Sequence, residues 1–106
     1  MPLYILYAKD KPGSLERRLE HYAAHRAFIE AQSEIGIVSV VISGPLQTDN
    51  GEAMTGSMIL VNAPTRSAVD QFAAQDPFMR EGVWGEVSIT RFHCRYASEH
   101  RLEAIL

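Results

Sequence analysis

The chain has 106 residues, 46% of them hydrophobic and 22% charged, the size and balance of one folded domain and not of a disordered segment. Thirteen acidic against ten basic residues give a formal net charge of −3. Asp10 and Glu16 interrupt the densest basic stretch (Lys9, Lys11, Arg17, Arg18), so the basic stripe of a nucleic-acid binder is absent. Cys94 is the one cysteine, which excludes an intramolecular disulfide and a cysteine-based zinc site.

Met1-Pro2-Leu3-Tyr4-Ile5-Leu6-Tyr7 is apolar but short, lacks a basic leader and runs into charged residues. It reads as a strand and not as an export signal, and no apolar run approaches a membrane span, so the expected location is the cytoplasm. Leu3 to Ala8 forms the first expected strand, and Lys9-Asp10-Lys11-Pro12-Gly13 the turn after it. Ser14 suits the N-cap of a long helix reaching about Ile35, where Gly36 can end it. Leu15, Leu19, Tyr22, Ile29 and Ser33 follow the helical repeat and are the expected inward seam.

Ile37 to Ser43 is a second strand, which Gly44-Pro45 is expected to end because proline cannot donate to a ladder. Thr48-Asp49-Asn50-Gly51 signals a hairpin into a third strand, Met54 to Asn62. Thr65 can cap a second helix running to about Gln75, and Asp76-Pro77 breaks it. Val83 to Tyr96 is the fourth strand. Residues 1–97 make the expected domain, and 98–106 a polar C-terminal tail with His100 in solvent.

The order βαββαβ is the ferredoxin-like arrangement of an α+β protein, with two helices on one face of a four-stranded antiparallel sheet. Ile37-Val38-Ser39-Val40-Val41-Ile42 and Met58-Ile59-Leu60-Val61 do not alternate apolar with polar, so both faces of the sheet are expected to be covered. Two helices cover only one. A second subunit packed sheet to sheet covers the other, giving a homodimer; apolar strands of a monomer with some exposed surface are the alternative.

His25 lies three residues after Tyr22 and four before Ile29, on the helix's inward seam, where it is either a hydrogen-bonded core residue or a general acid/base. His21 and His25 have the i, i+4 spacing that can hold a metal, but Tyr22 stands where a zinc protease has glutamate, and His93 and Cys94, adjacent on a strand, face opposite sides. No metal is therefore expected. Asp76 either terminates a helix or fixes a histidine's tautomer from the edge of a pocket. Tyr4, Tyr7, Phe78 and Trp84 are core residues or the walls of a pocket for a flat ligand. Gly44-Pro45-Leu46 and Gly56-Ser57 mark close backbone approaches, to another chain or to a ligand whose anionic oxygen free N–H groups could hold.

Taken together these segments resemble the YCII-related (YciI-like) family, small proteins of the dimeric α+β barrel type. The resemblance is carried by Asp10-Lys11-Pro12-Gly13-Ser14-Leu15-Glu16-Arg17-Arg18-Leu19, Ala24-His25, Gly44-Pro45-Leu46, Gly51, Thr55-Gly56-Ser57, Asp76-Pro77-Phe78 and Gly82-Val83, in that order along nearly the whole chain. It implies that His25 and Asp76 are a paired active site, with Gly44, Pro45 and Ser57 about a substrate cleft, for which Tyr7 is the expected aromatic wall. Where the family often has Arg-Pro, this chain has Tyr22-Ala23. The function implied is a cofactor-free enzyme moving a proton on a small cyclic or aromatic oxygenated compound, of isomerase or lyase (dehydrochlorinase) type. The alternative is a non-catalytic small-molecule-binding or accessory module using the same cleft. An open cleft with His25 exposed in it favours the enzyme; a sealed histidine favours the module.

Overall fold

A computed structural model describes residues 1–98. The expected tail from residue 99 onward, His100 included, lies outside the described residues. The elements are β1 (Leu3–Asp10), α1 (Leu15–Ile35), β2 (Ser39–Gln47), β3 (Met54–Asn62), α2 (Arg66–Gln75), α3 (Pro77–Arg80) and β4 (Trp84–Phe92). The strands form one antiparallel sheet in the order β2-β3-β1-β4, the ferredoxin-like topology.

Parity along β1 decides what each face holds. Tyr4, Leu6 and Ala8 point to the helices and join Ile59, Val61, Val69, Phe72, Phe78, Val83 and Trp84 in the buried core. Ile5 and Tyr7 point the other way, beside Met58 and Leu60 of β3, with Ile42 and Leu46 of β2 beyond. That second face is apolar and open in the single chain: Tyr7 is 41% and Ile42 46% exposed.

Several local signals act as their chemistry requires. The Thr65 side chain accepts the Ala68 N–H at 3.2 Å and caps α2. Gly36 takes the left-handed conformation (φ 85°) that ends α1, and its N–H donates to the Gln32 carbonyl. The hairpin closes with Thr48 N–H on the Ala53 carbonyl at 2.9 Å. Ser14 precedes α1 as expected but makes no side-chain cap; its hydroxyl turns back to the Lys11 carbonyl and reaches the Val83 carbonyl, tying the β1–α1 turn to the start of β4.

Three expectations need correction. β2 does not stop at Gly44-Pro45 but runs through to Gln47. It is an edge strand, so the missing N–H of Pro45 interrupts no ladder, and two register shifts along it absorb the irregularity. β4 ends at Phe92 and not at Tyr96, because its only neighbour, β1, begins at Leu3, the partner of Phe92. The inward seam of α1 is also rotated from the expected one. Of the expected seam His25 and Ile29 do face inward and are half-buried, but Leu15, Leu19 and Tyr22 are 41%, 59% and 46% exposed, whereas Arg18 and Gln32 are buried and Phe28 half-buried. At about 100° per residue, this seam lies roughly a quarter-turn from the apolar one. Partnered polar groups, and not only methyl groups, occupy it.

Gly56 fixes how closely β1 and β3 approach at the site described below. A Cβ there would lie 2.2 Å from the Ala8 carbonyl oxygen, which is backbone and cannot swing aside, whereas Gly44 has open space. Gly56→Ala should therefore destabilise the fold by about 3 kcal/mol, the upper range for overpacking, and Gly44→Ala by less than about 0.5 kcal/mol. Urea denaturation of the two variants reads this; equal stabilities would contradict the close approach.

Candidate functional site

α1 crosses the β2 side of the sheet and leaves a cleft of about 290 Å³ between its inner flank and the strands. Arg18, Tyr22, His25, Arg26, Ile29 and Glu30 line it from the helix, and Ser43, Gly44, Pro45 and Ser57 from β2 and β3. His25 sits between a buried wall and this open space. Its ring stacks on Phe78 at 4.0 Å, nearly parallel at 8°, and meets the edge of Trp84 at 6.2 Å.

Asp76 lies behind the imidazole. As the residue before Pro77 it is held extended (φ −63°, ψ 132°), which ends α2 and frees its carboxylate to cap α3. Oδ1 accepts the Phe78 N–H at 2.9 Å and lies 2.8 Å from His25 Nδ1. The aspartate is fully buried and the His25 side chain 12% exposed. A carboxylate oxygen already serving as acceptor for a backbone N–H needs a donor from the ring, so the hydrogen of the neutral imidazole sits on Nδ1. Nε2 then carries the free lone pair, and it has no hydrogen-bond partner among the described residues. The second carboxylate oxygen likewise has no donor there.

A second polar group stands on the same helix face, two turns before His25. Arg18 is 2% exposed, and its Nε and Nη2 form a fork on the two oxygens of Asp10 at 2.7 and 3.0 Å. Nη2 also donates to Ser57 Oγ at 2.7 Å, and the guanidinium carbon lies 4.5 Å from the Phe78 ring centre. Ser57 Oγ receives a further hydrogen bond from Trp84 Nε1 at 3.1 Å. At the cleft's outer edge Arg26 bonds Glu30 at 3.1 Å. That bond, with a smaller contribution from Tyr22, raises the Arg26 pKa above the usual arginine value.

The structure thus brings together His25, Asp76, Gly44, Pro45 and Ser57, all expected at the site, and separates Tyr7 from them. Tyr7 has the parity of the open sheet face, opposite the helices and His25. Tyr4, Phe78 and Trp84 are buried core; the last two form the backing of His25. His21 turns to Glu81 at 3.9 Å while His25 turns to Asp76, so the two histidines point to different partners. Among the described residues no three His, Cys, Asp or Glu side chains gather as a metal-ligand set, and no helix is long and apolar enough to cross a membrane. Arg18 and Asp10 were not singled out from the sequence. The signal was available, because Arg18 and His25 are seven residues apart and so share a helix face.

The fold and site define a small ferredoxin-like α+β domain with a carboxylate-backed histidine at a cleft. Residues 2–93 match the model of the YCII-related domain, and the chain belongs to that family. It is 34% identical over 95 residues to Protein YciI of Escherichia coli O6:H1, a match covering 85% of this chain and 95% of the relative. Among solved structures it is similar to 5-chloro-2-hydroxyhydroquinone dehydrochlorinase (TftG) from Burkholderia phenoliruptrix AC1100, in complex with 2,5-dihydroxybenzoquinone. That likeness has a TM-score of 0.74 and 31% identity, over 85% of this chain and 92% of the other. The cofactor-independent oxygenase SnoaB from Streptomyces nogalater shares the fold alone, with a TM-score of 0.53 and 13% identity over 92% and 95% of the two chains.

Proposed function

We propose that this protein is a cofactor-free acid/base enzyme in which His25, oriented by Asp76, moves protons on a small hydroxylated ring compound. The observation that carries this reading is the 2.8 Å contact between His25 Nδ1 and the buried Asp76 carboxylate at the floor of an open cleft. A binding module whose histidine is merely structural would have it sealed in the core, whereas His25 lines the cleft.

The likeness to a dehydrochlorinase of a chlorinated hydroquinone supplies the reaction type: loss of HX from a halogenated, hydroxylated ring. Nε2 of His25 takes a proton from a ring hydroxyl and returns it to the carbon bearing the leaving group. A second hydroxyl then gives its proton to the freed Nε2, which passes it to solvent, as the carbon–halogen bond breaks and the halide departs with the bonding pair. Two electrons leave the ring with the halide, so a quinone forms without an outside oxidant. Each proton transfer suits a base whose other nitrogen is fixed by a carboxylate.

With 5-chloro-2-hydroxyhydroquinone as the first substrate tried, release of chloride and appearance of quinone absorbance should accompany turnover. His25→Asn should lower the rate about 10³-fold, within the range of general acid/base contributions. Turnover undiminished in His25→Asn would remove His25 from the chemistry, and no turnover across a panel of halogenated and halogen-free hydroxylated rings would leave the binding module as the reading.

The apolar open face of the sheet, with Ile5, Tyr7, Ile42, Leu46, Met58 and Leu60 on it, supports a further element of the proposal: two copies pack sheet to sheet. Tyr7 then belongs to that interface and not to the cleft. Such packing buries roughly 1,500 Å², and light scattering at micromolar concentration should give about twice the 11.8 kDa chain mass. Tyr7→Glu should shift the protein to monomer. A wild-type monomer at tens of micromolar contradicts the pairing.

A further inference from the structure

Hydrogen-bond accounting at Ser57 singles out a direction that the histidine–aspartate pair does not use. A serine hydroxyl has two acceptor sites and one hydrogen. Both acceptor sites of Ser57 Oγ are taken, by Arg18 Nη2 at 2.7 Å and by Trp84 Nε1 at 3.1 Å. The hydroxyl can therefore act toward anything else only as a donor, and its hydrogen has no acceptor among the described residues. Ser57 is 2% exposed, and the space it borders is the cleft shared with His25.

Arg18 is in the same condition. Asp10 and Ser57 occupy Nε and Nη2, while the two hydrogens on Nη1 have no acceptor among the described residues. The two-pronged hold of Asp10 fixes the guanidinium plane, and Arg18 too lines the cleft. Two side chains more than nine-tenths buried thus bring donors, and no acceptor, to the cleft that His25 enters. Arg18 and His25 both lie against the Phe78 ring, at 4.5 and 4.0 Å from its centre, so donors and base address one ligand-sized space.

We propose that Ser57 Oγ–H and Arg18 Nη1 form an oxyanion site, and that the ligand is a flat hydroxylated ring held through a deprotonated ring oxygen, as phenolate or enolate. This rests on reading the cleft as the substrate site and adds the charge state of what it takes. Donors fixed before the ligand arrives favour the oxygen that gains negative charge when His25 removes its proton, which stabilises the anionic form over the neutral one. Asp10 offsets the guanidinium's net charge, so selection comes from directed donors and not from a positive surface.

The test uses two fluorinated probes: pentafluorophenol, which is ionised at neutral pH, and its methyl ether, which cannot ionise. Titration by calorimetry and ¹⁹F NMR at pH 8 should show the phenolate binding wild-type protein at least about tenfold more tightly than the ether, the range of a hydrogen bond to a charged group. Ser57→Ala should remove most of that preference without changing affinity for the ether, and Ser57→Thr, which keeps the hydroxyl, should restore it. The alanine variant also strips Arg18 and Trp84 of an acceptor, so its folding is checked by circular dichroism, and the wild-type comparison of the two probes decides the matter without it. Equal affinity for the probes, no binding of either, or equal weakening of both by Ser57→Ala overturns the proposal. So does a preference that vanishes in His25→Asn, since the imidazole would then hold the anion. A phenolate preference that depends on Ser57 in a protein showing no turnover keeps the oxyanion site and removes the acid/base reading.

Discussion

A fully buried carboxylate is costly without hydrogen-bond donors, and Asp76 finds donors for one of its oxygens by joining parts of the chain that are otherwise distant. Its Oδ1 takes the Phe78 N–H of α3 and faces the imidazole of α1, fifty-one residues away in sequence. The first contact makes the α2–α3 corner, with Pro77 in the first turn of α3. The second sets the rotation of α1, because His25 must face inward to reach the carboxylate. With that rotation Arg18, two turns earlier, also faces inward, and Phe78 lies against both side chains. Helix register, corner and cleft thus follow from one buried acceptor.

The same constraint explains what was legible in the sequence and what was not. Element order, the hairpin at Thr48–Gly51, the Thr65 cap and the break at Asp76-Pro77 rest on local backbone chemistry, and local chemistry is visible in a sequence. The face of α1 was not visible in the same way. Leu15, Leu19 and Tyr22 repeat as a core stripe should, yet they are exposed, because the inward positions beside His25 and Ile29 belong to Arg18, whose partners Asp10 and Ser57 are brought by β1 and β3, and to Gln32, which bonds the Phe28 carbonyl of its own helix. Hydrophobic periodicity cannot anticipate a seam made of paired polar groups. The end of β2 was misjudged for a related reason: whether Pro45 stops a strand depends on which side of that strand has a neighbour, a property of the sheet and not of the segment.

The site was legible to a different degree. The juxtaposition of His25 and Asp76 was implied only by resemblance to the YCII-related family, since nothing in spacing alone brings residues so distant in sequence together. Arg18 and Asp10 carry part of the family resemblance but no expected role at the site, because one arginine in a charged stretch looks like a solvated face, and its burial emerges only when β3 delivers Ser57 beneath the helix. Gly56 is the backbone counterpart of that pair. It lets β1 and β3 close to a distance no side chain would permit, next to the serine that receives the guanidinium. A fold stabilised only by apolar packing has no need of this arrangement, and buried polar networks that are costly to assemble are expected where a protein acts on something.

The most direct test of the account is the protonation pattern of the His25 ring, observed by two-dimensional ¹⁵N NMR with the ring nitrogens labelled. If Asp76 orients the imidazole, the neutral ring shows its hydrogen on Nδ1 and a bare Nε2, and Asp76→Leu, which removes the acceptor, gives a mixture in which the Nε2–H form is prominent. A wild-type ring with its hydrogen on Nε2, or a pattern unchanged by the substitution, would mean that the carboxylate does not hold the histidine. The central claim would then fail.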